Sequence, residues 1–298
     1  MAARIIDGKE IASTIREELR QDIARLKAET GVVPGLAVVL VGEDPASTSY
    51  VTAKEKACAD IGVFSADYRL PASTAAADLL DLVARLNHDS RIHGILVQLP
   101  LPRHLDESAV IMAIDPGKDV DGFHPVNVGR LVIGQQAFIS CTPHAVIQLL
   151  QRSGVTLDGA EVVIVGRSNI VGKPLANLLL QKSPMGNATV TICHTRTRDL
   201  ARHTVQADIV IAAAGRPRTI TAEMVREGAV VIDVGVNRIA DASRQTGFRL
   251  VGYVDFEPVA AKAALITPVP GGVGPMTITM LLHNTVASAR QHLLSAAR

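Results

Sequence analysis

Ser47, Tyr50 and Lys54 stand at i, i+3 and i+7, the spacing that lines side chains along one stripe of a helix. A hydroxyl, an aromatic ring and an amine on one stripe could bind, stack on and exchange protons with a small molecule. Taken alone, the tyrosine and lysine also read as a solvated surface pair. Gln98 lies near the end of the apolar run HGILVQL (93–99), just before two prolines. In open α/β sheets ligands sit beyond the carboxyl ends of strands, so a polar amide there points to a crevice. Asp121, in KDVDGF at 118–123, offers a carboxylate beside a glycine; most such residues cap turns.

A second group of residues suits a dinucleotide. EVVIVG-RSNIVG-KP places Gly166 at the end of an apolar strand and Gly172 at the opening of a helix. Such a turn aims backbone N–H groups, at the positive end of the helix dipole, toward a pyrophosphate. The spacing departs from G-x-G-x-x-G because Ser168 takes the second glycine position, and an ordinary βα turn would look similar. In NAD-specific folds an acid near the end of the next strand bonds the ribose 2′-hydroxyl. Here that strand ends in Cys193-His194-Thr195-Arg196, with no acid. Arg167 and Arg196 could instead meet a 2′-phosphate, which favours NADP over NAD.

The elements that must position these groups alternate. Asp7 and Glu10 resemble a capping box, Ile11, Ile15, Leu19, Ile23 and Leu26 share one face, and Gly31 ends that helix. GLAVVLV (35–41) reads as a buried strand. Ser47 is expected to cap a helix reaching about Ile61, with Val51, Cys58 and Ile61 toward the core and Gly62 as its stop. VFSADYRL, a helix from about Ser73 to His88 and HGILVQL follow, and this alternation predicts a parallel sheet covered by helices. The stretch 115–141 reads as a long functional loop ahead of a domain boundary. A new series starts at Thr142-Pro143, a cap followed by proline at the first helical position. EVVIVG (161–166), ATVTICH (188–194), ADIVIAAAG (207–215) and AVVIDVGV (229–236) then suggest a nucleotide-binding sheet. TPVPGGVGPMT (267–277) interrupts the pattern before a last helix of about twenty residues.

Composition narrows the function. The 298 residues suffice for two domains and are 48% hydrophobic. Thirty Lys plus Arg balance 29 Asp plus Glu, which leaves no basic footprint for nucleic acid. Aromatic residues are 3% with no Trp, too few for base stacking. The three cysteines, Cys58, Cys141 and Cys193, are scattered, which predicts neither disulfides nor a zinc site and fits a reduced, cytoplasmic compartment. No metal is expected. The start MAARIIDGKE lacks an apolar signal core, and no run reaches the roughly 18 apolar residues of a membrane span. His124 and His144 read as solvated loop residues.

Six collinear segments, S-x-x-Y-V-x-x-K (47–54), V-Q-L-P-L-P (97–102), K-D-V-D-G-F (118–123), C-T-P (141–143), G-R-S-x-x-V-G-x-P (166–174) and T-P-V-P-G-G-V-G-P-M-T (267–277), resemble the bifunctional methylenetetrahydrofolate dehydrogenase/cyclohydrolase family. The resemblance runs from about Ile6 to the last twenty residues or so. Ile139-Ser140 stands where the family often has a proline, and Thr195 where relatives often carry serine. The resemblance implies two α/β domains around a cleft. Residues 1–140 plus 270–298 would bind folate, residues 141–269 would form a Rossmann-like NADP domain, and the C-terminal helix would return to the first domain. It implies Lys54 as the catalytic residue, Gln98 holding it, Tyr50 stacking on the folate ring and Asp121 binding the pterin. Ser47, Val97, Leu99 and the Gly271, Gly272, Val273, Gly274, Pro275 loop would line the substrate pocket. Gly166, Arg167, Ser168, Gly172, Thr195, Arg196, Gly215 and Val234 would hold NADP. A free lysine, of pKa about 10.4, is a poor base at neutral pH. Burial and a cationic substrate would lower it toward roughly 7–8.

The implied reactions are NADP-dependent oxidation of 5,10-methylenetetrahydrofolate and hydrolysis of the methenyl product to 10-formyltetrahydrofolate. Tetrahydrofolate derivatives are the expected partners, with neither nucleic acid nor membrane, and the resemblance suggests a homodimer through the cofactor domains. A shikimate-type NADP dehydrogenase would also account for a lysine and the Gly166 loop, though not for VQLPLP or PVPGGVGP. A folate-binding module without turnover is the third reading, opposed by Lys54, Gln98 and Asp121 occurring together.

Overall fold

The computed structural model describes residues 3–244 and 247–296. In chain order the elements are β1 (Arg4–Ile5), α1 (Gly8–Thr30), β2 (Gly35–Val41), α2 (Pro45–Ile61), β3 (Phe64–Leu70), α3 (Ala76–His88), β4 (Gly94–Val97), α4 (Glu107–Ala113) and α5 (Pro125–Val132). They continue as α6 (Cys141–Arg152), β5 (Glu161–Val165), α7 (Gly172–Leu179), β6 (Thr189–Cys193), α8 (Leu200–Thr204), β7 (Ile209–Ala212), β8 (Val230–Asp233), β9 (Asn237–Ala240), β10 (Phe248–Val251), α9 (Phe256–Ala260), β11 (Leu265–Ile266) and α10 (Val273–Ala296).

The chain divides into two compact units, one of Thr14–Cys141 with Ile278–Arg298, the other of Met1–Ser13 with Thr142–Thr277. In the first, β2 lies between β3 and β4 in a parallel sheet. Every residue of β2 is buried, as expected of a central strand covered on both faces. Ala37, Val39 and Val41 alternate toward one face and pack with Leu79, Leu82, Val83 and Leu86 of α3. The second unit holds a six-stranded sheet in the order β1-β11-β8-β7-β5-β6, all neighbours parallel. The chain runs outward from β5 to β6 and then resumes at β7 on the other side of β5. That reversal is the topological switch point at which such sheets bind dinucleotides.

Several expectations change. The cap of α2 is Asp44, whose carboxylate accepts the Ser47 N–H at 2.8 Å; Ser47 itself sits in the first turn and is buried. Pro45, lacking an N–H, suits the first helical position. The helix after Ser73 starts only at Ala76. The 115–141 stretch is not one loop, because His124 and Pro125 start α5 within it, the His124 Nδ1 accepting the Val126 N–H. Helix α6 begins at Cys141, so Pro143 is its third residue, still within the turn whose N–H groups need no helical partner. Helix α10 opens at Val273, inside the PVPGGVGP segment.

The domain boundaries move too. Residues 1–13 belong with the nucleotide-type unit because β1 pairs with β11, and the turn preceding α10 stays there as well. Gly8 packs so closely on the Gly272 carbonyl that a Cβ would overlap it. The remainder of α10 belongs to the first unit. There Asn284 Nδ2 donates to the carbonyls of Val120 (2.8 Å) and Ile139 (2.9 Å).

Asn284→Ala removes the amide that donates to the Val120 and Ile139 carbonyls, which should cost about 1–3 kcal/mol. Urea denaturation should show a lower midpoint with an unchanged slope; an unchanged midpoint would contradict this role.

Candidate active site

Lys54 lies in the third turn of α2, between Val51 and Cys58 of its buried face, and is itself only 9% exposed. Burying an amine this far requires a partner. Gln98 provides one, its Oε1 accepting from Lys54 Nζ at 2.8 Å. The amide is oriented twice over. Its Nε2 donates to the Leu99 carbonyl at 2.7 Å, and the Gln98 main-chain N–H continues the ladder to the Val39 carbonyl at 2.8 Å. The oxygen is therefore the atom left to face the amine.

Asp121 completes the group. The turn bearing it is held by Lys118, whose Nζ donates to the carbonyls of Leu86 (3.1 Å) and Asp89 (2.9 Å). Asp119 accepts from the Phe123 and His124 N–H groups and from Asn127 Nδ2. Burial pushes the Asp119 carboxyl up to about 6, and those donors oppose the rise. Asp121 interacts electrostatically with Lys54 and with Cys141, whose thiol donates to the Val120 carbonyl at 3.3 Å. Burial pushes the lysine below its ordinary value and the aspartic acid above its own, each partly restrained by the other's charge. The same burial holds the Cys141 thiol well above the usual range, so it acts as a neutral donor. The arrangement is a buried amine with a raised neutral fraction, fixed beside a carboxyl group.

The other positions expected to bind substrate divide. Tyr50, one turn before Lys54, is 42% exposed, its ring open to a stacking partner. Leu99 is half-buried. Val97, the last residue of β4, is buried and packs in the hydrophobic core. Gly271 to Pro275 lie in the other unit, between β11 and the first turn of α10, with the Val273 side chain buried.

In that second unit every residue expected to hold a cofactor lies just beyond the carboxyl end of a strand. Gly166, Arg167, Ser168 and Gly172 follow β5; Thr195 and Arg196 follow β6; Gly215 follows β7; Val234 follows β8. A Cβ on Gly166 would overlap the Ala213 carbonyl, and one on Gly172 would overlap the Gly166 carbonyl. The strand-to-helix turn is thus packed backbone on backbone, a cradle only glycine permits. Ser168 Oγ accepts the Val171 N–H at 3.1 Å, so this departure from the glycine pattern braces the turn. Arg167, Thr195 and Arg196 are exposed. The residues fit a dinucleotide with a phosphorylated ribose.

Sequence reasoning missed Cys141, Asp119 and Asn284. Asn284 could have been noticed as a polar residue inside the apolar run MLLHNTV. His124 and His144 are buried rather than solvated, the first capping α5 and the second within α6. Among the described residues no cluster of His, Cys, Asp and Glu could hold a metal ion.

Because the folded chain holds the Lys54 proton less tightly than the unfolded one, stability should rise with pH from the lowered value up to the ordinary 10.5. The slope is at most about 1.4 kcal/mol per pH unit. Lys54→Met removes this contribution, so its stability gain over the parent in urea should be larger at about pH 7.5 than at about pH 9.5. Parallel curves would show that the amine is not desolvated.

Comparison with known proteins identifies the family. Residues 6–121 match the tetrahydrofolate dehydrogenase/cyclohydrolase catalytic domain, and residues 140–293 match the NAD(P)-binding domain of the same family. The bifunctional protein FolD of Syntrophus aciditrophicus is 63% identical over 97% of this chain and 98% of its own. Among solved structures, the bifunctional FolD dehydrogenase/cyclohydrolase of Campylobacter jejuni is 48% identical over 98% of this chain and 100% of that one, with a TM-score of 0.92. The Trypanosoma brucei enzyme, solved with NADP and an inhibitor, is 42% identical over 98% of this chain and 99% of that one, with a TM-score of 0.93. These matches favour the folate reading over a shikimate-type dehydrogenase, and the chain belongs to the tetrahydrofolate dehydrogenase/cyclohydrolase family.

Proposed function

We propose that this protein oxidises 5,10-methylenetetrahydrofolate to the 5,10-methenyl form with NADP and hydrolyses that product to 10-formyltetrahydrofolate. The observation that carries the reading is the Lys54 amine, buried, held by Gln98 at 2.8 Å and interacting electrostatically with Asp121. In the oxidation a hydride leaves a carbon flanked by two nitrogens, whose lone pairs stabilise the cation formed. NADP, when bound, supplies the hydride acceptor. The chain's task in that step is to hold the carbon in place, a matter of proximity and orientation. This is why an acid–base pair of the His–Asp kind is not required.

Hydrolysis needs more from the side chains. Water attacks the methenyl carbon and gives a proton to the neutral Lys54 Nζ; as the carbon–nitrogen bond then breaks, the lysinium returns a proton to the departing ring nitrogen, and the hydroxyl on the carbon loses its own proton to solvent to leave the formyl group. Burial of the amine and the substrate's positive charge both favour the neutral form that accepts the proton. Gln98 fixes the nitrogen for that exchange. Asp121 offers two acceptor oxygens to the 2-aminopyrimidinone edge of the pterin, Tyr50 stacks on the ring system, and Ser47 lies one turn before it on α2. Arg167, Thr195 and Arg196 receive the 2′-phosphate. We place the protein in the cytoplasm, as its buried free thiols and bacterial relatives suggest, and assign it a homodimer formed through the NAD(P)-binding units.

The test is optical. With NADP and methylenetetrahydrofolate the protein should produce NADPH and methenyl absorbance together; no signal would overturn the reading. Lys54→Met should lose methenyl hydrolysis by about a hundredfold or more, in line with the loss of a general base. Asp121→Ala should raise the KM for folate in both reactions. Normal hydrolysis by Lys54→Met would remove the amine from its role.

A further inference from the structure

Asp233 is the last residue of β8 and is 3% exposed, although the reactions above give it no part. A carboxylate so placed is costly unless its oxygens are occupied. Here both are. Oδ1 accepts the N–H groups of Gly235 (2.8 Å) and Tyr253 (2.9 Å), and Oδ2 accepts that of Val254 (2.9 Å). The Asp233 main-chain N–H donates to Thr267 Oγ1 at 2.7 Å. One residue therefore joins three chain segments: the turn leaving β8, the segment after β10 and the residue after β11. The neighbours are shaped to let it in. A Cβ on Gly252 would occupy the space of Oδ2, and one on Gly235 would press on the Tyr253 main chain and ring.

The tied segments have a defined place in the sheet. The loop after β5 suits the pyrophosphate, and Thr195 and Arg196 after β6 suit the phosphorylated ribose. The adenosine half of a dinucleotide thus lies on the β5–β6 side of the switch point, and its nicotinamide half falls over the ends of β7 and β8. The turn leaving β8, Val234 to Val236, is at that end, and Asp233 is what holds it.

We propose that Asp233 is a positioning residue for the dehydrogenase reaction alone, its carboxylate fixing the Val234–Val236 turn that receives the nicotinamide half of the dinucleotide. The inference rests on the NADP-dependent reading above. It acts through main-chain N–H groups of its own unit, whereas Lys54, Gln98 and Asp121 belong to the other. A group of this kind should affect oxidation without affecting hydrolysis, whereas a residue needed only for folding would affect both.

The test uses the full chain carrying Asp233→Asn, which keeps the shape but turns an NH2 toward an N–H donor. Dehydrogenase kcat/KM should fall about thirtyfold, and the Kd for NADP, by titration calorimetry without folate, should rise about fivefold to tenfold, as loss of a buried charged acceptor implies. Hydrolysis of 5,10-methenyltetrahydrofolate should stay within about twofold of the parent. Unchanged NADP affinity, or equal losses in both activities, would overturn the proposal. Should Asp233→Asn fail to fold, Thr267→Val removes only the hydroxyl that accepts the Asp233 N–H. It should give a smaller dehydrogenase-selective loss that Thr267→Ser restores, and a parallel loss or none would again be contrary. A parent protein that binds NADP but turns over no folate would count against the proposed reaction, while the calorimetric comparison would still decide the role of Asp233.

Discussion

The hydrogen bond between Lys54 Nζ and Gln98 Oε1 is the constraint around which the first unit is arranged. An amine on a helix face that is otherwise apolar would turn to solvent if nothing received it. The glutamine can receive it only because β4 ends there and the amide's other end is tied to Leu99. Strand β4 in turn stays in register through β2, whose residues are buried on both faces. A polar contact at the active site thus depends on the packing of an apolar strand.

Asp121 meets the same requirement differently. It sits on a turn rather than a strand, so its position must be imposed from outside by the Lys118 ammonium, the Asp119 carboxyl and the Asn284 amide. Each of these satisfies main-chain groups that would otherwise be buried without partners. The last comes from α10, more than a hundred residues away in the chain. Burial then shifts both members of the pair toward their neutral forms, the condition under which an amine can take a proton near neutral pH.

In the second unit the corresponding constraint is close backbone packing. Gly166 against Ala213 and Gly172 against Gly166 form a turn with no room for side chains, and Asp233 with Gly252 forms a second tight point on the other side of the switch. Carboxyl ends of parallel strands all open on one edge, so residues from four separate strands reach it without any long-range signal in the chain.

Much of this was readable from residue order. A short continuous apolar run located β2, period-3.6 spacing located the buried face of α1, and Gly62 marked the end of α2, because local sterics and apolar spacing act over a few residues. The spacing of Ser47, Tyr50 and Lys54 gave their shared helix, and the turn at Gly166 gave a cofactor loop. The position of Asp44 rather than Ser47 as the cap, the helix inside 115–141 and the burial of His124 and His144 were not readable. Nor was the pairing of β1 with β11, or the meeting of Lys54 with Gln98, Asp121 and Cys141. These depend on which distant groups satisfy buried donors and acceptors, and a partner such as Asn284 is chosen only when the chain has folded back on itself.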